Sequence, residues 1–459
     1  MRVGIIGGGI GGLAAAYELG KRGHEAMVFE AAPQLGGLAG TFEVAGTRLE
    51  KFYKHIFVSD TDIIEYIHDL GLADRLQWIA SSVGYFSRGK VYNFVTPLDL
   101  LRFDPISLPD RIRLGVVSLY LQRQADGIAR YEGVTAAEWL RRYAGERNYA
   151  VVWEPLLRGK FGDSAPEVGM TWFWGKMRLR FGSRDKGMGR ERLGYLLDSF
   201  GQIQDALVER VTRQGSRVFT GVRVRRVVVT GGRAAGLEVD HAGDRAGAPP
   251  APSRYPCDAV IATVPSPVFL RLAPDLPTAY TERLQGRRYQ AVMCLILVLK
   301  HPLTPIYWLN IGDTAIPFVA VIEQTNLIPP EHYQGKHIVY LSNYLAPDQP
   351  LYGMDADHLL EVYLPHLQKI NPAFRREWIE SYALFQDDAG QPIITTHYSH
   401  KIPDLRTPVP GLYLANTTQI YPEDRGQNYS IRLARRVVAM CEEDWAAASP
   451  VGLAARGQE

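Results

Sequence analysis

The feature that most limits how this chain can fold is its opening stretch, Arg2 to Glu30, which reads RVGIIGGGIGGLAAAYELGKRGHEAMVFE. An apolar run from Val3 to Ile6 leads into Gly7-x-Gly9-x-x-Gly12, a helical segment follows to about Gly23, and a second apolar run ends at Glu30. That order is a complete β-turn-α-β unit. Gly7 permits the tight turn, Gly9 lets the backbone approach a pyrophosphate, and Gly12 lets the helix pack on the strand. The N–H groups that open the helix, at Ile10 and Gly11, face the phosphate charge. Glu30, eighteen residues past Gly12, stands where a carboxylate accepts hydrogen bonds from ribose hydroxyls and repels a 2′-phosphate, which disfavours NADP. The stretch implies an adenine dinucleotide, NAD or FAD.

A chain of 459 residues is long enough for two or three domains, and 46% hydrophobic with 22% charged residues suits a globular protein with a large core. Lys and Arg number 51 against 49 Asp and Glu, so nothing in the charge points to nucleic acid. Cys257, Cys294 and Cys441 are widely spaced, which argues against a disulfide framework or a zinc site and suits a reducing cytoplasm. The eleven histidines are scattered, so no metal is expected. The chain opens directly on a strand, so no secretory leader is expected, and no apolar run approaches the roughly twenty residues that span a bilayer.

After Glu30 and Ala31 comes a loop, AAPQLGGLAGT, whose Gly36 and Gly37, beside Leu38, would let backbone lie against a flat or charged ligand. LEKFYKHIF, Leu49 to Phe57, is strand-like and carries Tyr53 and His55; an amphipathic helix from Asp60 to Leu70 follows. Glycine fingerprint, distal Glu30, GGLAGT and YKHIF, in this order, resemble the N-terminal part of the flavin-containing amine oxidase superfamily. That group includes protoporphyrinogen oxidases, phytoene desaturases and UDP-galactopyranose mutases.

The fold class this resemblance implies is α/β, with a discontinuous Rossmann-like FAD-binding domain and an α+β substrate domain. The FAD-binding parts would be residues 1–87, 191–285 and 405–445. The substrate domain would comprise a mostly helical part, 88–190, and an antiparallel sheet, 286–404, with 446–459 a disordered tail. In the helical part, Thr135 and Glu138 form a capping box, and Ile112 to Gln124 reads as a helix with one apolar face, expected to pack on the substrate domain rather than on a membrane. Trp172 and Trp174 are candidate cavity-lining residues, although a single tryptophan is more often core. From about Leu193 a helix is expected to lead to Gly215, and RVFTGVRVRRVVVTGGRAAGLEV reads as a hairpin turning at Gly231-Gly232. Ala246 to Pro252 reads as a flexible loop tip. In the sheet part, Trp308, Asn310, Glu323 and Tyr344 are candidates to face a ligand.

The resemblance also implies that Val224 meets the adenine through its backbone and that Thr263 ends a strand near the cofactor. At the chain's end, GLYLANTTQIYPEDRGQNYSIRLARRVVAMC is a strand, a polar loop and a helix from about Asn428. In the family, this helix points its positive end at the flavin, which would put Gln427, Asn428 and Tyr429 beside the isoalloxazine. Where the family has Gly-Asp, this chain has Ala415-Asn416, so an amide would replace the usual carboxylate, or Glu423 or Asp424 would substitute for it.

The chemistry this implies is hydride transfer from a small organic molecule, an amine, a porphyrinogen-like ring or a desaturase-type allylic or saturated C–H, to N5 of non-covalently bound FAD. One alternative is redox-neutral chemistry on a nucleotide sugar, for which the arginines from Arg178 to Arg192 would hold the diphosphate; the other is a flavin-binding protein without turnover. No catalytic constellation stands out. Lys160 is a candidate for holding a water at N5 or an acidic substrate, and His55 is expected to make a structural hydrogen bond if it does not act at the flavin.

Overall fold

Five parallel strands, gathered from distant stretches of the chain, form the sheet that carries the opening motif. Their spatial order is Arg217–Phe219, Glu25–Phe29, Arg2–Ile6, Ala259–Ala262 and Leu412–Leu414. Both faces are covered, so Val3, Ile5, Val28, Val260 and Ile261 are fully buried and the strands read as continuous apolar runs. The computed structural model describes residues 1–182, 191–241 and 253–448.

The opening helix, Ile10–Lys21, buries Leu13, Ala14, Ala15 and Ala16, whose small side chains let it lie close to the sheet and against the closing helix, Gln427–Ala448. A three-stranded antiparallel sheet, Val222–Thr230, Arg233–His241 and Ser253–Pro256, stands beside it. Gly231 and Gly232 turn its first hairpin with φ of 59° and 76°, the left-handed pair that only glycine adopts without strain.

The second large sheet has seven strands in the order Ile379–Pro392, Tyr289–Leu299, His337–Leu345, Ala320–Glu323, Trp308–Ile311, Val83–Ser87 and Lys90–Asn93. It is not wholly antiparallel as expected, because Trp308–Ile311 pairs in parallel with Val83–Ser87. The expected boundary at 87/88 therefore falls inside a hairpin whose two strands both belong to this sheet. The longest strand, Ile379–Pro392, carries no strong apolar alternation, since much of it is half-exposed at the sheet edge.

A helical layer completes the molecule: Pro97–Arg102, Leu108–Arg123, Ala136–Ala144, Glu154–Phe161 and Met170–Gly182 share a core that includes Trp139, Trp153, Trp172 and Trp174. Thr135 and Glu138 form the reciprocal capping box. Leu108–Arg123 packs inward through Leu114, Val117 and Leu121, but its other face is also apolar and lies exposed.

Three further expectations are corrected. Arg192–Leu196 is a strand, not the start of a helix; Asp198 and Ser199, at φ of 65° and 87°, break the chain before the helix Gly201–Arg213. Leu49 to Phe57 is two short strands, Thr47–Glu50 and Ile56–Phe57, around a loop. The closing helix continues to Ala448, so residues 446–448 are not tail; the remainder of the expected tail and the loop tip at 246–252 lie outside the described residues. Among the described residues no helix is long and apolar enough to cross a membrane.

Candidate active site

The glycine motif forms a cradle at the carboxyl ends of the parallel strands. Gly7 turns at φ 104°, and a Cβ on Gly12 would lie 1.9 Å from the Gly7 carbonyl oxygen, so both positions demand glycine. At Gly9 and Gly11, by contrast, an added Cβ would meet nothing closer than 3.8 Å and 3.9 Å, leaving open space over the start of the helix. The loop after the second strand closes on this space. Gly36 donates its N–H to the Gly8 carbonyl at 2.9 Å, and Leu38 sits in the turn Gly37–Ala39.

Glu30 accepts hydrogen bonds from the Gly8 N–H at 2.7 Å and the Ala32 N–H at 2.8 Å, with Ala31 exposed between. The Val222 N–H donates to the Glu30 carbonyl at 2.9 Å, bringing Val224 to the same edge of the sheet. Thr263 donates its hydroxyl to the Ile6 carbonyl at 3.0 Å and braces the tight turn.

Asn416 behaves differently from the sequence expectation. Its side-chain oxygen accepts from the Thr418 N–H at 3.0 Å and hydroxyl at 2.6 Å, while its NH₂ donates to the Val264 carbonyl at 3.0 Å and the Ser266 hydroxyl at 3.2 Å. All four hydrogen-bonding capacities of the amide are thus used inside the protein. Its work is to tie the strand end to the following turn, leaving none of the amide for a cofactor.

The start of the closing helix shows the opposite pattern. Gln427 Oε1, Asn428 Nδ2 and Arg425 Nε are buried without a partner, although the Asn428 oxygen accepts from the Ile63 N–H at 3.1 Å. Such groups are costly unless something polar meets them. Their residues help line a cavity of about 170 Å³, together with Tyr53, His55, Trp308, Tyr344 and Tyr429 among others.

Charge dominates that cavity. Lys160 from Glu154–Phe161 and Lys176 from Met170–Gly182 both donate to Asp424 Oδ2, at 2.8 Å and 2.7 Å. Burial alone would raise the Asp424 carboxyl, but the two ammoniums overcome it and hold the group well below the ordinary carboxylate range. Burial lowers Lys160 despite Asp424, and it lowers Lys176 to about 8. Lys54, pressed by burial and then by Arg425, falls to about 7. Arg180 lies 5.6 Å from the centre of the Trp308 ring. His55 is no part of this positive set: burial, then Arg180, lowers it to about 3, and its Nδ1 lies 2.9 Å from the Tyr307 hydroxyl.

Of the expected lining residues, Trp308 and Tyr344 reach the cavity. Trp172 does not line the cavity; it is 3% exposed and lies behind the wall, with the Lys160 and Lys176 ammoniums 5.8 Å and 5.6 Å from its ring. Trp174 lies in the core of the helical layer, donating to the Gln124 carbonyl at 3.3 Å. Asn310 bonds Trp308 and the Gly84 carbonyl, and Glu323, fully buried, accepts from the Leu303 and Thr304 N–H groups elsewhere in the sheet. Of the arginine-rich stretch 178–192, residues 183–190 lie outside the described residues. Lys54, Lys176 and Arg425 escaped the sequence reading. The four-residue spacing of Trp172, Lys176 and Arg180, which puts all three on one helix face, was the available signal for Lys176.

A sequence profile described as flavin containing amine oxidoreductase matches residues 10–422. The chain belongs to this family. Membership implies a flavin cofactor. The mitochondrial protoporphyrinogen oxidase of Nicotiana tabacum is 24% identical over 199 residues, which take in 42% of this chain and 39% of that enzyme. The chain thus matches well under half the length of this curated relative. A crystal structure provisionally described as a protoporphyrinogen oxidase from Exiguobacterium sp. 255-15 superposes with a TM-score of 0.75 at 18% identity, over 96% of this chain and 99% of the other. Reduced UDP-galactopyranose mutase superposes with a TM-score of 0.72 at 16% identity, over 98% of each chain. At these identities the superpositions establish the shared two-domain α/β fold. The open glycine cradle and the unpartnered polar atoms at the closing helix fit a flavin cofactor.

Proposed function

We propose that the protein is an FAD-dependent oxidoreductase that takes a hydride from an organic substrate bearing negative charge. The observation that carries this reading is the cavity's charge: Lys54, Lys160, Lys176, Arg180 and Arg425 face it, against the carboxyls of Asp424 and Asp60. Burial raises Asp60 to about 6, which weakens its opposition further. A cationic amine entering this space meets like charge in a site of low dielectric, whereas a carboxylate or phosphate is attracted.

Bound flavin supplies the hydride acceptor at N5. The chain's own residues divide the remaining work. The positive end of the closing helix, with Arg425, favours negative charge on the reduced cofactor. Gln427 Oε1, Asn428 Nδ2 and Arg425 Nε are available to partner its polar edge. Lys160, Lys176 and Arg180, on the opposite helical wall, hold the substrate's anionic group, while Tyr53, Trp308 and Tyr344 exclude water. Neutral His55 braces the aromatic wall through Tyr307. Attachment is non-covalent in this reading, because no cysteine lines the cavity and burial raises all three thiols.

A second reading, redox-neutral chemistry on a nucleotide sugar, draws support from the same cations, which also suit a diphosphate. The absorption spectrum of the purified protein, before and after acid precipitation, is the test. A flavin band that leaves with the supernatant as FAD supports the proposal; a protein without flavin, or one that keeps it on the precipitate, contradicts it. Turnover of a nucleotide sugar only after prior reduction would favour the second reading.

A further inference from the structure

Three lysines line the cavity, and their surroundings differ. Lys160 and Lys176 share the Asp424 carboxylate, at 2.8 Å and 2.7 Å. Lys54, half-buried in the same lining, makes no side-chain hydrogen bond or ion pair among the described residues. The loop that carries it is fixed on both sides: Tyr53 stands edge-on to Trp308 with ring centres 4.9 Å apart, and His55 packs on Trp308 at 5.7 Å. An amine is thus held at the cavity wall without a partner of its own.

No acid pairs with it. Asp424 holds the other two lysines and accepts from the Arg425 N–H at 3.1 Å. Glu50, 1% exposed, accepts from the Tyr195 and Ser199 hydroxyls at 3.0 Å and 2.6 Å and from the Phe200 N–H at 2.8 Å. Asp60, raised to about 6 by burial, accepts from the Phe57 N–H at 2.9 Å. Burial, and after it the Arg425 guanidinium, lowers the Lys54 amine to about 7, against a weaker opposing pull from Glu50 and Cys294. Neighbouring His55 is held neutral, while Lys160, Lys176 and Arg180 keep the rest of the cavity positive.

Arg425 supplies the complement. Its guanidinium has several N–H donors; one nitrogen lies 3.4 Å from the Tyr344 hydroxyl, and Nε is buried without a partner. An unprotonated amine next to a cation is a nucleophile toward a carbonyl carbon, and the cation is a ready partner for a carboxylate on the same molecule. An ordinary lysine, with a pKa of about 10.4, is almost wholly protonated near neutral pH and lacks the lone pair this needs.

We propose that Lys54 is a covalent, reversible binding site for small 2-oxo acids, with Arg425 taking the carboxylate. The Nζ lone pair attacks the carbonyl carbon, the C=O π pair moves to oxygen and is protonated, and the resulting carbinolamine loses water to leave C=N. One amine and one carbonyl become one imine and one water, with no change of oxidation state. The step therefore needs no flavin and stands apart from the hydride chemistry proposed above.

The test is incubation of the purified full chain, with the flavin it carries, with glyoxylate and cyanoborohydride at pH about 7.5, where an imine is fixed as a carboxymethyl amine. Lysine peptides are then read by mass spectrometry. Lys54 is expected to be labelled at least about tenfold faster than exposed Lys90 in the same sample, because at this pH most of Lys54 but only about one part in a thousand of an ordinary lysine is neutral. That excess should shrink as pH is lowered through about 7. Acetaldehyde, which lacks the carboxylate, should label Lys54 at least about tenfold more slowly than glyoxylate, each taken relative to Lys90, and Arg425→Gln should abolish the difference. Even labelling of the surface lysines, labelling of Lys160 or Lys176 in place of Lys54, or equal labelling of Lys54 by the two aldehydes would overturn the proposal. A peptide mass decides this whether or not flavin is bound, so a protein without flavin would contradict the oxidoreductase reading alone.

Discussion

Lys160 Nζ lies 2.8 Å from Asp424 Oδ2, joining the helical layer to the loop that precedes the closing helix across 264 residues of chain. The same carboxylate oxygen takes Lys176 at 2.7 Å, so one acid holds two ammoniums at the cavity wall. Asp424→Asn is expected to destabilise the fold by roughly 1–3 kcal/mol, less than a fully buried pair would lose because Lys176 remains partly hydrated. Urea unfolding measures this. The released ammoniums should bind anions more tightly, so the dissociation constant for pyrophosphate, followed through the flavin spectrum, should fall. A rise with unchanged stability would contradict the arrangement.

Anion binding should also depend on pH in a defined direction. Lys54 and Lys176, lowered to about 7 and about 8 chiefly by burial, are charged below those values and neutral above them. Affinity for an anionic ligand is therefore expected to be full below pH about 7 and to weaken as pH rises through about 8. Lys54→Met should remove the lower part of this profile while leaving the upper part. A flat profile over this window would show that neither ammonium faces the ligand.

Asn416 tests whether the chain's departure from its family is a loss or an adaptation. Restoring the acid with Asn416→Asp would remove the donor that meets the Val264 carbonyl at 3.0 Å and set a carboxylate oxygen against that carbonyl. The variant is expected to lose about 1–3 kcal/mol in thermal or urea unfolding and to gain no flavin affinity. Tighter flavin binding in Asn416→Asp would show that the amide merely replaces a cofactor contact.

The glycine cradle separates packing from binding. Gly12→Ala places a methyl 1.9 Å from the Gly7 carbonyl oxygen, where backbone cannot yield, and should cost more than the about 1–3 kcal/mol of ordinary overpacking. Gly11→Ala meets nothing within 3.9 Å and should fold normally, so any loss of flavin in that variant reports on the ligand alone. Thermal melts with flavin fluorescence distinguish the two. Equal stability of both variants would contradict the packing role given to Gly12.

How much of this was legible in the sequence follows from where the information lies. The opening βαβ unit was readable because turn, helix and strands are all local, and Gly7, Gly12 and Glu30 each leave a separate mark. The strand Ile379–Pro392 was not, because an edge strand that is half-exposed along most of its length lacks alternation. The cavity was harder still. Lys54, Lys160, Lys176 and Asp424 come from four separate stretches, and no periodicity links a lysine to an aspartate 264 residues away. Asn416 was read as a cofactor contact by analogy with its family, and only its four hydrogen bonds reveal a structural role.

The central claim, that this flavoenzyme oxidises an anionic substrate, is tested most directly by anaerobic stopped-flow reduction of the bound flavin. Panels of carboxylate- or phosphate-bearing compounds and of amines, matched in size, would be compared at pH about 6.5, where Lys54 and Lys176 are charged. The account expects bleaching of the flavin band by members of the anionic panel, slowed by Lys176→Met, and none by the amines. Rapid bleaching by amines, with no effect of Lys176→Met, would contradict it.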